Sequence, residues 1–132
     1  MVIHSRQFPS SLPMTKQLTV LLGVVLTLIG AAGFFVEGSL FVFQVDVNHN
    51  IVHLASGVIG LLAAAGGNED YARTYLLVFG IVYALVTIVG FAMGGDILGL
   101  FTVNTADNYL HLVIAVAALG VGFTAKKPRP AF

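Results

Sequence analysis

Apolar residues fall into four runs separated by short polar punctuation, and each run has the length of a membrane-crossing helix. Residues 17–36 pass without a charge, a span of twenty residues that at about 1.5 Å each crosses a hydrocarbon core of about 30 Å. A second run, 47–65, stops at Gly66-Gly67 and the polar turn Asn68-Glu69-Asp70. A third, 72–93, is uncharged after Arg73, and a fourth covers 107–124. Between them lie two connectors, 37–48 and 94–106. In the first, Phe41, Phe43, Val45 and Val47 alternate with Val42, Gln44 and Asp46, a period-2 pattern too short to span anything. Both connectors are placed at the membrane surface. The pattern predicts an all-α membrane protein of four transmembrane helices.

The runs are also internally related. Asp46-Val-Asn-His-Asn-Ile-Val-His-Leu54 reappears as Asn104-Thr-Ala-Asp-Asn-Tyr-Leu-His-Leu112, so that a shift of 58 puts Asn50 on Asn108 and His53 on His111. The first and third runs align with a shift of 57, Gly23 on Gly80, Gly33 on Gly90 and Phe34 on Phe91. The expected organisation is two tandem two-helix repeats, 17–66 and 72–124, preceded by a flexible arm at 1–16 and followed by a polar tail at 125–132. Copies that each cross twice enter the membrane in the same sense, which implies a pseudo-twofold axis along its normal. Small residues recur at helical spacing in every run (Gly23, Thr27 and Gly30; Gly57 and Gly60; Gly80 and Ala84; Ala115 and Ala118), the signature of close helix packing in lipid.

Composition sharpens this picture. The chain has 58% hydrophobic and 9% charged residues and a mean hydropathy of +0.96, far from the roughly one-quarter charged residues of soluble domains. Six basic and six acidic residues cancel, so nothing points to nucleic acid. The absence of cysteine excludes disulfides, thiolate catalysis and thiolate metal sites. With four spans, all six basic residues (Arg6, Lys16, Arg73, Lys126, Lys127 and Arg129) fall on the side of the termini, whereas the connectors carry only Glu37, Asp46, Asp96 and Asp107. Basic loops stay cytoplasmic. Both termini are therefore expected inside, in a bacterial inner membrane, with the histidine motifs facing outward.

Candidate chemistry concentrates in those motifs. Asp46 or Asn48 can cap the second run, and Asn104 with Asp107 has capping-box spacing at the fourth. His53 and His111 lie about a turn inside their helices, where an ionisable group must face the interior and find a partner; Asn50, Asn108 or connector carbonyls are the candidates. One reading makes the two imidazoles polar glue across the bundle. The other makes them ligands of a tetrapyrrole, haem or chlorophyll, with small residues beneath leaving room for the ring. His49 and His53, four residues apart, make a His-x-x-x-His pair, but two sure ligands fall short of the three or four that zinc takes; no metal site is expected. No nucleophile with a base, carboxylate pair or phosphate loop suggests an enzyme.

On Gly23 to Phe35, Asn48-His49-Asn50-Ile-Val-His53-Leu54 with Gly57 and Gly60, Phe79-Gly80-Ile-Val-Tyr83, and Ala106-Asp107-Asn108-Tyr-Leu-His111-Leu112, the chain resembles the bacterial four-helix membrane proteins grouped as domain-of-unknown-function family 4383. The resemblance implies four spans and outward histidine motifs and, because that family has no established activity, carries over no catalytic residue. The functional expectation is a small accessory subunit in the lipid bilayer that packs against other membrane proteins or self-associates, with tetrapyrrole binding through His53 and His111, or a small transporter or channel, as alternatives.

Overall fold

The computed structural model describes residues 11–125. The expectations for the first ten residues and for the tail from Lys126 onward lie outside them. The elements run α1 (Met14–Gly33), β1 (Ser39–Leu40), β2 (Phe43–Gln44), α2 (Val47–Ala65), α3 (Glu69–Met93), β3 (Asp96–Ile97), β4 (Phe101–Thr102) and α4 (Thr105–Thr124). All four helices are long and apolar enough to cross a membrane, and the chain is a multi-pass membrane protein.

Helix limits follow from capping chemistry. Residues 14–16, expected in the arm, are helical, because Pro13 presets the backbone before the first turn and its carbonyl accepts the Gln17 N–H at 2.9 Å. Residues 34–36, expected in the first helix, lie beyond α1; the N–H groups of Phe34 and Phe35 fold back onto Ala31 and Ala32. α3 begins three residues before the expected start, since the Asn68 side chain accepts the Asp70 N–H at 2.9 Å and Glu69 and Asp70 suit a helix N-terminus. It stops at Gly94, whose φ of 71° is a left-handed C-cap. α2 has the expected limits.

The two connectors are β-hairpins rather than irregular surface loops. Ser39 pairs with Gln44 and Leu40 with Phe43, leaving a two-residue turn; Asp96 pairs with Thr102 and Ile97 with Phe101, leaving three. The alternating residues of the first connector, too short a pattern to span the membrane, are the signal for this pairing.

α1 packs chiefly on α2, and α3 on α4. A Cβ on Gly30 would stand 2.5 Å from the backbone nitrogen of Leu54, so α1 and α2 meet main chain to main chain. Leu22, Leu26, Tyr75, Leu76, Tyr83, Ile114, Ala115 and Ala118 fill the centre, while Leu28, Leu85, Ile88 and Val113 cover the outside. At the end away from the hairpins, the Thr15 hydroxyl donates to Glu69 at 3.0 Å and Lys16 to the Gly66 carbonyl at 3.1 Å; Arg73 bonds the Ala125 carbonyl there.

A candidate site at the hairpin end of the bundle

The polar residues singled out in the sequence meet at one end of the bundle, where each hairpin is bonded to the start of the helix in the other half. Asp46 is the N-cap of α2, accepting the His49 N–H at 2.8 Å. Its other oxygen accepts the backbone N–H and hydroxyl of Thr102 in β4, at 2.8 and 2.9 Å. In the other half, Asn104 and Asp107 complete a capping box, with bonds of 2.9 and 2.8 Å. The Asp107 carboxylate also accepts the Gln44 N–H of β2 at 3.0 Å. The amides make the matching exchange: Asn48 donates to the Leu100 carbonyl at 2.7 Å and Asn104 to the Val42 carbonyl at 2.8 Å. Gln44 and Thr102 join side chain to side chain at 3.0 Å. Partial burial works to raise the Asp46 carboxyl, but the donors from Thr102 and His49 outweigh it and hold the group below the usual carboxylate range.

Beneath this layer His49, His53 and His111 converge, 1%, 4% and 1% exposed. The first two rings are 4.4 Å apart between centroids, and His111 is 5.7 Å from His49 and 6.0 Å from His53. One nitrogen from each lies within 4.8 Å of the other two. Phe101 stacks on His49 at 5.0 Å and Tyr83 stands 5.4 Å from His111. Neither nitrogen of His49 or His111, nor Nδ1 of His53, has a hydrogen-bond partner.

Asn50 and Asn108 do not supply one. Their amides lie in notches over Gly33 and Gly90, where a Cβ would collide with the amide oxygen. Nor does the connector offer a carbonyl to the rings of His49 or His111. The space between the histidines is a cavity of about 20 Å³ bounded also by Val52, Ser56, Val82, Tyr83, Val86 and Phe101. It has room for one ion or one water. Gly57 and Gly60, expected to leave room for a tetrapyrrole, face neighbouring helices closely: a Cβ on Gly57 would collide with Thr27 of α1, and one on Gly60 would stand 2.8 Å from the Tyr75 ring.

A family model for a domain of unknown function, DUF4383, matches residues 16–124, which is every helix and both hairpins but for the first two residues of α1. The chain belongs to the DUF4383 family. No curated protein and no solved structure matches it. In this DUF4383 protein the sequence brought forward His53 and His111 but not the company they keep. Gln44 and Thr102, which the 58-residue shift aligns, went unnoticed as the joint between hairpins, as did Phe101 and Tyr83 as walls of the histidine cavity. His49 was paired with His53 along one helix, and the equivalence of His53 with His111 was the signal that a third ring would join them.

Proposed function

We propose that this protein is a small accessory component of the membrane that docks onto another membrane protein through its two hairpin tips. The observation that carries this reading is the backbone at Phe41 and Leu98, with φ of 55° and 53°. Hairpin-turn positions at positive φ favour Asn or Gly, and a bulky residue there costs stability. Here the position is given to apolar side chains that are 89% and 65% exposed, flanked by exposed Val42 and Leu100. Strained backbone held by the bonds from Asn48 and Asn104 presents them as a rigid surface, the arrangement expected where local stability is traded for recognition. The tests are Phe41→Asn and Leu98→Asn. Each should leave the stability in detergent unchanged or raise it, by at most about 1–3 kcal/mol of relieved strain, while abolishing co-purification of the partner that the wild type retains. A wild-type protein that stays a clean monomer in several mild detergents would sink the reading.

We further infer that the hairpin end is extracytoplasmic and the termini cytoplasmic, a reading supported by the six basic residues gathered at the other side. A cysteine placed at Ser39 should react with an impermeant reagent on intact cells and one at Ser10 only after lysis. Labelling of both from the same side refutes it. The duplication is supported by the hairpins: the single-residue change of spacing between the paired segments falls in the turns, Phe41-Val42 against Leu98-Gly99-Leu100.

A further inference from the structure

We propose that His49, His53 and His111 form a three-nitrogen site for one divalent transition-metal ion of the zinc class, with a fourth coordination position opening on the cavity beside Tyr83. This stands apart from docking through the hairpin tips.

Five imidazole nitrogens in the cluster are buried without a partner, and each unsatisfied buried polar group destabilises the fold. Rings placed only to pack would be cheaper as phenylalanine. Their donors already converge to within 4.8 Å of one another. Zinc–nitrogen bonds of about 2.0–2.1 Å in tetrahedral geometry put the ligand atoms about 3.3 Å apart, so each nitrogen has to move inward by at most about 0.8 Å, a small χ adjustment. His49 and His53 share one face of α2 at i and i+4, and His111 comes from α4. Three fixed protein ligands with one open position is the pattern of reactive rather than purely structural zinc sites.

Charge and donor type point the same way. An all-imidazole set suits zinc, copper, iron or nickel and disfavours magnesium and calcium. A dication in a low-dielectric interior needs compensating negative charge. Asp107, only 1% exposed, caps α4, and Asp46 accepts the His49 N–H, so both carboxylates sit in the layer above the rings. The described basic side chains, Lys16 and Arg73, are engaged at the other end of the bundle. A ring that ligates through one nitrogen also needs an acceptor for the other. Tyr83 stands beside His111, and the Tyr83 hydroxyl itself has no partner. The competing occupant is a single water bonded among the three rings, which the cavity also accommodates.

The test uses the full chain carrying a tag without histidine, purified in detergent, stripped with a chelator and titrated with Zn²⁺ alone. The proposal requires about one ion per chain by elemental analysis, and an affinity weakened at least about tenfold, as loss of a ligand demands, in each of His49→Gln, His53→Gln and His111→Gln. His4→Ala should keep both the stoichiometry and the affinity. Should a glutamine variant lose its helical circular dichroism, X-ray absorption of the zinc-loaded wild type decides, with three imidazole nitrogens expected at about 2.0–2.1 Å. The proposal is overturned by folded wild type that retains no zinc, by variants that bind as tightly as wild type, or by an absorption spectrum dominated by oxygen ligands.

Discussion

Replacing Gly30 by alanine should destabilise the bundle by about 1–3 kcal/mol, the range for forcing extra volume into a packed interior. The upper end is expected, because the added carbon would stand 2.5 Å from the Leu54 nitrogen and 2.9 Å from the Asn50 carbonyl oxygen. Flexible side chains can turn away from an added methyl, but main chain of a neighbouring helix moves only if α1 and α2 part. Parting them would also loosen the first turns of α2, which hold His49 and His53. Gly120→Ala is the control, since nothing lies within 4 Å of its would-be Cβ and alanine favours the helix. Thermal or denaturant unfolding in detergent should separate the two; equal midpoints would show that the α1–α2 contact yields more readily than its geometry implies.

The second large effect is expected at Asp107. Asp107→Ala removes the acceptor of both the Asn104 and Gln44 N–H groups, leaving two half-buried donors without it, at up to about 1–3 kcal/mol each. Asp107→Asn keeps an acceptor oxygen and should recover part of the loss. Asp46 adds a dependence on pH. Its carboxyl is held below the usual range in the folded protein, so as acid is added the unfolded chain takes up the proton first. Its contribution is complete above about pH 4, where the unfolded carboxyl is already ionised, and is lost as pH falls through the lower folded value. Unfolding midpoints followed downward from neutral pH should decline less steeply in Asp46→Asn than in wild type. A pair of parallel curves would mean that the bonds from Thr102 and His49 do not favour the charged form.

The number and placing of the helices were legible because twenty-residue apolar runs have few alternatives in a 132-residue chain. Boundaries were less so. The start of α1 is set by Pro13, and that of α3 by Asn68, residues whose capping role is local and masked in the apolar pattern by the neighbouring charges of Lys16, Glu69, Asp70 and Arg73. The hairpins were hidden by their turn residues: Phe41 at positive φ breaks the Asn-Gly rule by which hairpins are recognised. At the histidines, depth in the helix was legible in the sequence but direction was not. Whether Asn50 turns toward His53 or toward α1 depends on the notch that Gly33 opens on a different helix, and no local pattern carries that.

The exchange of bonds at the hairpin end also bears on biosynthesis. When α1, the first hairpin and α2 have left the ribosome, Asp46 can cap its own helix, but the Gln44 N–H and the Val42 carbonyl have no protein partner until Asn104 and Asp107 arrive with the last helix. The first half therefore reaches the bilayer with its rim unfinished and solvated by water. The rim bonds are complete only once α4 has followed, so the nascent chain has no half-assembled form that is bonded throughout.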